Sequence, residues 1–315
     1  MAPFSKVLVT GGSGFIGSHL VNALVADGCD VTVLDNLATG HRKNLRSVKN
    51  RIAFIEGDIC DSALVSDAAR GCEVIFHQAA VVSVPLTVSD PVGSARVNEL
   101  GTLHVLEAAR TNQCRRVVLA SSCAVYGDDP RLPKQEDMAA KPMSPYAVQK
   151  LTGEYYARLY HQLYGLETVS LRYFNVFGPR QDPSSAYSGV ISIFMARAAK
   201  GQGPIIYGDG RQARDFIFVK DVVAANLLAA GCEKAAGSVF NIGTGCAIRI
   251  GELWDMIGRM AGVEATPTHQ PSRAGDIRES LANIDQAHTI FGFSPEHVFE
   301  DGLARTFDWY RQSLL

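Results

Sequence analysis

The sequence predicts an α/β protein with a doubly wound parallel sheet and a smaller, mixed α/β C-terminal lobe. Three observations predict this fold class. Short β-branched runs alternate with longer amphipathic stretches in the first half of the chain, as in strand–helix–strand units. Residues 117–120 are apolar throughout, which is typical of a strand buried on both faces. After about Asn175 the alternation weakens, and clusters of Gly and Pro appear.

The predicted elements of the first half follow one another in strict alternation. The β-branched runs are predicted to be strands, at 6–10, 30–35, 53–58, 74–77 and 116–121. The amphipathic stretches are predicted to be helices, at 16–27, 62–70, 92–113 and 146–164. Shorter strands are predicted in the second half, at 205–207, 215–219 and 239–242. This order places helices on both faces of the sheet.

Composition and charge exclude several classes of protein. The chain has 315 residues, 30 Lys and Arg against 32 Asp and Glu, and a formal net charge of -2, which argues against a general binder of nucleic acid. No apolar run reaches the ~18 residues of a membrane-spanning helix, and the N-terminus lacks the pattern of a signal peptide. The seven cysteines include no C-x-x-C pair, so neither a zinc site nor a disulfide framework is indicated. We therefore expect a cytoplasmic protein that binds no nucleic acid, membrane or metal.

A glycine-rich turn directly follows the first predicted strand. Its residues fit both G-x-x-G-x-x-G and G-x-G-x-x-G, and they are Gly11, Gly12, Ser13, Gly14, Phe15, Ile16 and Gly17. Glycines allow the tight turn and let backbone N–H groups approach a pyrophosphate, which the N-terminus of the next helix stabilises. Because a strand precedes the turn and a helix follows it, we predict dinucleotide binding rather than plain strand-to-helix packing.

Acidic residues at the ends of the second and third strands indicate which dinucleotide binds. The Asp35 carboxylate can accept both hydroxyls of the adenosine ribose and would repel a 2′-phosphate, so NAD is favoured over NADP. Asp58 and Ile59 close the third strand, where an adenine amine commonly finds an acceptor. Asn36, which follows Asp35, is predicted to contact the cofactor as well.

Tyr146 and Lys150 lie four residues apart on a predicted helix and therefore project from one face, a turn apart. An unperturbed tyrosine has a pKa of about 10 and is a poor base at neutral pH. A neighbouring ammonium and the positive nicotinamide ring of NAD favour phenolate, so we predict that the pKa of Tyr146 is lowered. Ser121 and Ser122 end a buried strand at the edge that faces the ligand crevice, where a hydroxyl can meet the phenol.

Together, these features resemble the extended short-chain dehydrogenase/reductase family in its nucleotide-sugar branch. The resemblance covers nearly the whole chain and includes further motifs: His77-Gln78-Ala79-Ala80, Arg172-Tyr173-Phe174-Asn175, Arg214-Asp215-Phe216 and Arg273-Ala274-Gly275-Asp276. It implies a tightly held NAD and a UDP-sugar bound between two lobes. Aligning residues 122–127 on the family's motif makes Ser122 the active-site hydroxyl, and the adjacent Ser121 is the alternative if this alignment is off by one.

The resemblance also implies a domain division and a set of cofactor contacts. Residues 1–174 would form an NAD-binding Rossmann domain to which 213–246 returns, and residues 175–212 and 247–315 would form the UDP-sugar-binding lobe. The implied cofactor contacts are Gly11, Gly14, Phe15, Ile16, Gly17, Asp35, Asn36, Asp58, Ile59, Gln78, Ala79, Ala80, Tyr146 and Lys150.

The residues after Ser122 favour one reaction among those of the branch, which contains 4-epimerases, 4,6-dehydratases and decarboxylases. Dehydratases carry Thr-Asp-Glu or a close relative of it where this chain has Ser122, Cys123 and Ala124. Decarboxylases usually keep a glutamate at the position of Ala124. Cys123 and Ala124 cannot supply a carboxyl pair for elimination. We therefore predict epimerisation, in which Tyr146 takes the proton of the sugar O4 directly or through Ser122.

Substrate contacts in the second lobe are implied by the same resemblance. Asn175 would hold the diphosphate or the sugar, while Arg214 and Arg273 resemble the family's pyrophosphate clamps, for which guanidinium forks are suited. Tyr207 matches an aromatic position that stacks on uracil, although an exposed aromatic at a strand end is the alternative. Asp276 matches a position that holds the ribose of the nucleotide.

Ser280 is the position most informative about the sugar. Hexose-restricted 4-epimerases often carry a bulky tyrosine there, and a small side chain leaves room for an N-acetyl group. Ser83, residues 180–183, Ala186 and Tyr187 are also shared with epimerases that act on UDP-N-acetylhexosamines. We therefore predict a UDP-N-acetylglucosamine 4-epimerase that can also act on UDP-glucose and UDP-galactose, because pocket shape alone rejects a smaller analogue by only about 1–3 kcal/mol.

Two alternatives and one assembly prediction remain. A UDP-glucuronate 4-epimerase would need donors for a C6 carboxylate, and none can be placed from the sequence. A non-catalytic NAD-sensing regulator would typically lack the Tyr or the Lys, and both are present. The resemblance implies a homodimer through a four-helix interface, to which 92–109 and 146–164 would contribute their apolar faces, with burial against the chain's own sheet as the competing interpretation. His77 and Asn98 are predicted to be structural, and Cys123 to be a small buried filler.

Overall fold

The computed structural model describes residues 3–183, 189–272 and 277–314, and seven of its strands form one parallel sheet. The strands are β1 (Lys6–Thr10), β2 (Asp30–Asp35), β3 (Ile52–Glu56), β4 (Val74–His77), β5 (Arg116–Ser122), β6 (Glu167–Tyr173), β7 (Asn175–Phe177), β8 (Ile205–Tyr207), β9 (Ala213–Phe218), β10 (Ser238–Ile242), β11 (Ala247–Arg249), β12 (Thr268–Gln270) and β13 (Glu279–Ser280). The parallel sheet has the order β10-β6-β5-β4-β1-β2-β3.

Helices cover both faces of this sheet. They are α1 (Phe15–Ala26), α2 (Ser62–Ala68), α3 (Val84–Ser89), α4 (Pro91–Ala95), α5 (Thr102–Thr111), α6 (Pro145–Tyr164), α7 (Val190–Ala198), α8 (Val219–Gly231), α9 (Ile250–Ala261), α10 (Asp285–Phe291) and α11 (Phe299–Leu314). Alternate residues of β1 point to opposite faces. Val7 and Val9 pack with α1 and α8, whereas Leu8 packs with α2, α5 and α6. The prediction of a doubly wound parallel sheet is confirmed.

The smaller lobe contains a mixed sheet and a helical layer. In this sheet β9 pairs in parallel with β7 and β13 and antiparallel with β11, while β8 and β12 form a separate parallel pair. Helices α7, α9 and α11 share one apolar core, in which the rings of Phe194 and Trp254 meet at 5.8 Å between centroids. Strand β10 belongs to the large sheet and β9 to the small one, and the assignment of whole segments to two domains stays a prediction.

The helix predicted for 92–113 is present, but a π-helical turn in its middle interrupts the α-helical hydrogen bonding. Helix α4 ends at Ala95, a π-helical turn covers Arg96–Gly101, and α5 begins at Thr102. Asn98, within the π-helical turn, accepts the N–H of Val81 at 2.8 Å and donates to its carbonyl at 2.9 Å. These bonds hold the turn against the loop after β4, and π-helical turns of this kind occur often at functional sites.

Across the part of the chain that the structure describes, no helix combines the length and the apolar character that a membrane span requires.

Candidate active site

Tyr146 lies in the first turn of α6, beside the end of β5. The hydroxyl of Ser144 caps this helix by accepting the N–H of Ala147 at 3.2 Å, and Pro145 occupies the first helical position, which suits its fixed φ. The phenol forms a hydrogen bond with the side chain of Ser122, the last residue of β5. Strand and helix ends therefore bring together the tyrosine and the serine that the sequence predicts.

The pKa of Tyr146 is raised in this structure, so the predicted lowering is wrong for the chain alone. Burial raises the pKa to about 12, and the hydrogen bond with Ser122 opposes burial only in part. The physical reason is that the phenolate would lose hydration in this crevice without a positive charge in contact with its oxygen. Nζ of Lys150 donates to a backbone carbonyl and lies beside the ring of Tyr146.

Lys150 lies one turn after Tyr146 and faces the same strand. Its Nζ donates to the carbonyl of Ala120 at 2.9 Å and lies 5.9 Å from the centroid of the Tyr146 ring. Burial lowers the pKa of Lys150 to about 8, although the charge of Glu154 acts in the opposite direction. Lys150 therefore loses its proton at a pH close to 8. Its ammonium lies between the tyrosine ring and the strand.

The two serines at the end of β5 have different surroundings. Ser121 is buried, and its hydroxyl donates to the carboxylate of Glu154. Ser122 is half-buried and contacts Tyr146. Only Ser122 therefore points its hydroxyl to the phenol, as the alignment on residues 122–127 predicts.

The glycine turn has the geometry of an anion cradle. Gly11 has a φ of +69°, and a Cβ there would lie 2.7 Å from the backbone N of Ala79. A Cβ on Gly17 would lie 2.2 Å from the carbonyl oxygen of Gly11, so the turn cannot close around a larger residue. At Gly14 the contact to a Cβ would be 3.2 Å, again to the oxygen of Gly11.

Polar groups around this turn fit the pyrophosphate of NAD. Helix α1 has no side-chain cap and no acidic residue in its first turn, so the N–H groups of Phe15, Ile16 and Gly17 have no carboxylate beside them. The hydroxyl of Ser13 is buried and has no hydrogen-bond partner among the described residues. Uncapped donors and an orphaned hydroxyl together match the donor set that a dinucleotide phosphate requires.

Asp35 and Asp58 lie where the sequence places the adenosine end of the cofactor. Asp35 is buried, and its two oxygens accept the N–H groups of Ser13 and Leu37, both at 2.8 Å. Asn36 donates to Asp58 at 2.7 Å. Burial acts to raise the pKa of Asp58. The hydrogen bonds from the N–H of Cys60 and from the Asn36 amide outweigh burial and leave this pKa below its usual range.

Residues 77–80, after β4, line the same edge of the sheet. Gln78 donates to the hydroxyl of Tyr173 at 3.0 Å and to Asn226 at 3.2 Å, while Ala79 and Ala80 are half-buried beside the glycine turn. Ile59, also predicted to contact the cofactor, is buried after β3. Among the described residues, no group of His, Cys, Asp and Glu is arranged to hold a metal ion.

His77 and Asn98 have the structural surroundings that the sequence predicts. His77 is fully buried and bonds Thr10 at 2.7 Å and Thr102 at 3.0 Å. Burial lowers its pKa to about 3, and the charge of Lys150 acts in the same direction. A histidine that stays neutral between two hydroxyls supports the sheet rather than acting as an acid or base.

Two of the predicted substrate residues, Ser280 and Asn175, contact β9. Ser280 is buried on β13, in register with Arg214 of β9, and its hydroxyl forms a hydrogen bond with Cys123. Asn175 donates to the carbonyl of Asp215 at 3.2 Å. Cys123 directly follows Ser122, so the contact of Ser280 lies one residue beyond the end of β5.

The remaining predicted substrate residues lie on β9, on β8, at the start of α3, or outside the described residues. Arg214 is half-buried and donates to the carbonyl of Ala213 at 2.9 Å. Tyr207 ends β8 opposite Gln270, and Ser83 caps α3 by accepting the N–H of Leu86 at 3.3 Å. Arg273, Asp276, Ala186 and Tyr187 lie outside the described residues.

Glu154 is not among the residues predicted from the sequence. It is a buried carboxylate on α6, one turn after Lys150, and it bonds Ser121 and Arg172. Its position, four residues after Lys150, was a usable signal, because it continues the face that carries Tyr146 and Lys150.

Comparisons with known proteins agree with this geometry. Residues 7–243 match the model of the NAD dependent epimerase/dehydratase family. The UDP-glucose 4-epimerase of Mycolicibacterium smegmatis is 41% identical over 310 residues, covering 97% of this chain and 98% of that protein.

Two solved structures are similar over almost the whole chain. One is the UDP-N-acetylglucosamine 4-epimerase of Methanobrevibacter ruminantium in complex with UDP-N-acetylmuramic acid, with a TM-score of 0.94, 39% identity, and coverage of 98% of this chain and 99% of that chain. The other is the UDP-glucose 4-epimerase of Thermus thermophilus in complex with NAD, with a TM-score of 0.90, 39% identity and the same coverage.

Proposed function

Since the chain belongs to the NAD dependent epimerase/dehydratase family, we propose that it is a UDP-sugar 4-epimerase whose main substrates are UDP-N-acetylglucosamine and UDP-N-acetylgalactosamine. NAD is the cofactor of this family. The observation that carries the proposal is the contact of Tyr146 with Ser122 above Lys150, next to Cys123 and Ala124 rather than to a carboxyl pair.

The proposed reaction inverts C4 through a transient 4-keto sugar. NAD, which the glycine turn, α1 and Asp35 would hold, would supply the hydride acceptor and donor that inversion at C4 requires. Tyr146 takes the proton of O4, and Ser122 holds the phenol in place through their hydrogen bond. Lys150 supplies positive charge beside the tyrosine ring, which favours the phenolate that the step requires. Tyr146 returns the proton to O4 when C4 is reduced.

Elimination and decarboxylation are disfavoured by the side chains beside Ser122. Burial raises the pKa of Cys123 to about 11, with a hydrogen bond from Ser280 acting against it, so the thiol is neutral at physiological pH. The side chain of Ala124 has no acidic or basic group. The crevice therefore lacks a carboxyl pair at the two positions where the dehydratases carry one.

The preference for an N-acetylated sugar depends on Ser280. Its small side chain is buried and contacts Cys123, and a tyrosine at this position would bring a bulky ring to the same place. The names of the relatives divide between UDP-glucose and UDP-N-acetylglucosamine 4-epimerases, so they support the reaction class more strongly than the sugar.

One assay tests the reaction and the sugar together. The purified protein is incubated separately with UDP-N-acetylglucosamine, UDP-glucose and UDP-glucuronate, and the configuration at C4 is followed by NMR. We expect inversion of the N-acetylated substrate, with slower or comparable inversion of UDP-glucose. Inversion of UDP-glucuronate alone would contradict the choice of sugar, and inversion of none would contradict the enzyme assignment.

We also propose that the chain acts as a homodimer through helices α3 to α6. Large apolar side chains are exposed on this face, among them Val92 at 77% and Leu163 at 66%. A groove of about 310 Å³ between the π-helical turn and α6 is lined mainly by apolar side chains such as Leu100 and Tyr156. Apolar surface of this extent on one face is typical of an interface.

A further inference from the structure

Glu154 is a buried carboxylate on the catalytic face of α6. Tyr146, Lys150 and Glu154 lie at intervals of four residues, so the three side chains occupy one face of the helix on successive turns. Glu154 is only 4% exposed. A carboxylate this deeply buried requires partners, because removing its hydration is costly.

The partners of Glu154 come from two neighbouring strands of the large sheet. Arg172 of β6 donates to it twice, from Nε at 2.9 Å and from Nη2 at 2.7 Å, so the ion pair is bidentate. The hydroxyl of Ser121 on β5 donates to the same carboxylate. Ser121 and Arg172 are opposite each other in the register of β5 and β6, which explains how one carboxylate reaches both.

Three side chains of α6 thus bond three consecutive residues of β5. Lys150 bonds the carbonyl of Ala120, Glu154 bonds the hydroxyl of Ser121, and Tyr146 bonds the side chain of Ser122. The contact of Glu154 therefore lies between the two contacts made by the catalytic residues. It fixes the strand end that presents Ser122 to the phenol.

The charge of Glu154 also acts on Lys150. The groups around Lys150 are Tyr146 and Glu154 on its own helix, His77 on β4, the carbonyl of Ala120 on β5, and Arg172 on β6 beyond Glu154. Burial lowers the pKa of Lys150 to about 8, and Glu154 is the group that opposes this effect. The neutral His77 and Tyr146 supply no negative charge.

A role in stability alone does not explain this placement. A buried ion pair is often no more stabilising than apolar residues of similar volume, because both charges lose hydration. A second ion pair, between Arg116 and Glu167, joins β5 and β6 at the opposite end of the same strands, with 2.7 Å between Nη2 and Oε2. That pair already links the two strands without contacting the catalytic face.

We propose that Glu154, held by Arg172, is a positioning residue for C4 epimerisation that keeps Lys150 charged and fixes the Ser121–Ser122 strand end beneath Tyr146. This role rests on the proposed function. It assigns to Glu154 no contact with the sugar or the cofactor. Its effect reaches the reaction through Lys150 and Ser122.

The test compares Glu154→Gln with the wild-type holoenzyme over pH 6 to 10, using UDP-N-acetylglucosamine. The amide keeps an oxygen for Ser121 but removes the charge and leaves Arg172 unpaired beside Lys150. We expect the alkaline fall in kcat to begin about 1 pH unit lower, as removal of an opposite charge implies. At pH 9 we expect kcat to be about tenfold lower with KM changed little, since one unit of pKa changes the charged fraction about tenfold at pH values above both pKa values.

Glu167→Gln is the matched control, because it breaks the other β5–β6 ion pair at the far end of the strands. We expect it to lower the thermal midpoint but to keep the pH profile of the wild type. If Glu154→Gln does not fold, Ser121→Ala removes the strand contact and keeps the ion pair. We then expect kcat to fall about threefold or more, and a kcat equal to that of the wild type would overturn the positioning role.

The outcomes separate this role from the proposed function. A wild type that inverts no UDP-sugar would overturn the proposed function and this role with it. A wild type that turns over, together with a Glu154→Gln profile that matches Glu167→Gln in both pH dependence and kcat, would overturn this role alone.

Discussion

At the scale of single residues, the chemistry depends on two opposing effects on Tyr146. Burial raises its pKa to about 12, with the hydrogen bond of Ser122 acting against it, and a positive charge brought beside the phenol would lower it further. Lys150 is the cation that the chain itself supplies, and burial lowers the pKa of that ammonium to about 8. The phenol is therefore a base only while Lys150 keeps its proton and the oxidised cofactor adds its own positive charge.

This balance predicts an alkaline limit to activity. Lys150 holds its proton below about pH 8 and loses it as the pH rises through that value, because its pKa is lowered to about 8. Since a neutral amine no longer favours the phenolate, we expect kcat to fall as the pH rises above 8. Measurement of kcat with UDP-N-acetylglucosamine from pH 6 to 10 checks this. A kcat that still increases between pH 8 and 10 would contradict it.

Ser280 gives a second prediction at this scale. In Ser280→Tyr the new ring fills the space beside Cys123, so we expect turnover of UDP-N-acetylglucosamine to fall by about 10- to 100-fold, in line with the 1–3 kcal/mol that pocket shape provides. Turnover of UDP-glucose by the same variant is the internal control for folding and cofactor content. If the N-acetylated substrate is still inverted at the wild-type rate, the steric role of Ser280 is wrong.

At the scale of elements, we propose that the glycine turn and α1 hold the cofactor through backbone groups. The helix has no side-chain cap, and the buried hydroxyl of Ser13 has no partner among the described residues. A ligand phosphate in this position would satisfy both, as helix N-termini commonly do for anions. The turn depends on glycine because the backbone of Gly11 lies against Gly17 and Ala79.

Gly17→Ala is expected to disturb this turn. Its Cβ would lie 2.2 Å from the carbonyl oxygen of Gly11, so the turn must open, at a cost of about 1–3 kcal/mol in the free energy of unfolding. We expect a lower thermal midpoint and less NAD per purified chain, measured by thermal unfolding and by release of the nucleotide. Gly251→Ala is the control, because a Cβ there meets nothing closer than 3.5 Å. Equal NAD content in both variants would argue against this function of the turn.

The elements of the first half were predictable because their patterns are local. Strand β1 and the placement of α1 after the glycine turn follow from runs of residues adjacent in sequence. Strand β6 was not predicted, because Arg172 and Glu167 interrupt its apolar pattern, and each is tolerated there only through an ion pair formed in the fold. The π-helical turn depends on the bonds of Asn98 to Val81, which is distant in sequence.

In the proposed catalytic site too, features that depend on local sequence were predictable and features that depend on the folded contacts were not. Tyr146, Lys150 and Ser122 were predictable from a motif and from the end of a strand, and the structure brings them together. The pKa of Tyr146 was not predictable, because it depends on how much hydration the phenol loses in the folded crevice. Glu154 was missed because its partner Arg172 is known only from the register of β5 and β6.

At the scale of the whole molecule, the buried amide of Asn241 joins the large sheet to the segments that contain Lys134 and Ala282. Asn241 of β10 accepts the hydroxyl of Tyr126 at 2.6 Å and donates to the carbonyl of Lys134 at 2.8 Å. Lys134 in turn bridges to Ala282, two residues after Ser280. The wall of the proposed N-acetyl pocket is thus fixed by contacts that span both lobes.

The proposed homodimer gives a prediction at this scale. Leu163 is 66% exposed on α6, so Leu163→Glu places a charge on the proposed interface, and we expect the mass in solution to shift from two chains towards one. Val298→Glu is the control, because Val298 is comparably exposed at 59% but lies outside α3 to α6. Light scattering after size-exclusion chromatography measures both. A wild type that is monomeric at micromolar concentration would contradict the dimer.

The central claim, that Tyr146 exchanges the O4 proton in a C4 epimerisation, is tested most directly with Tyr146→Phe. The measurement is the rate of C4 inversion of UDP-N-acetylglucosamine by NMR, at equal NAD content and equal thermal midpoint for variant and wild type. We predict a rate about 100- to 10,000-fold lower, the usual contribution of a general base. A phenylalanine variant that inverts C4 at close to the wild-type rate would contradict the account.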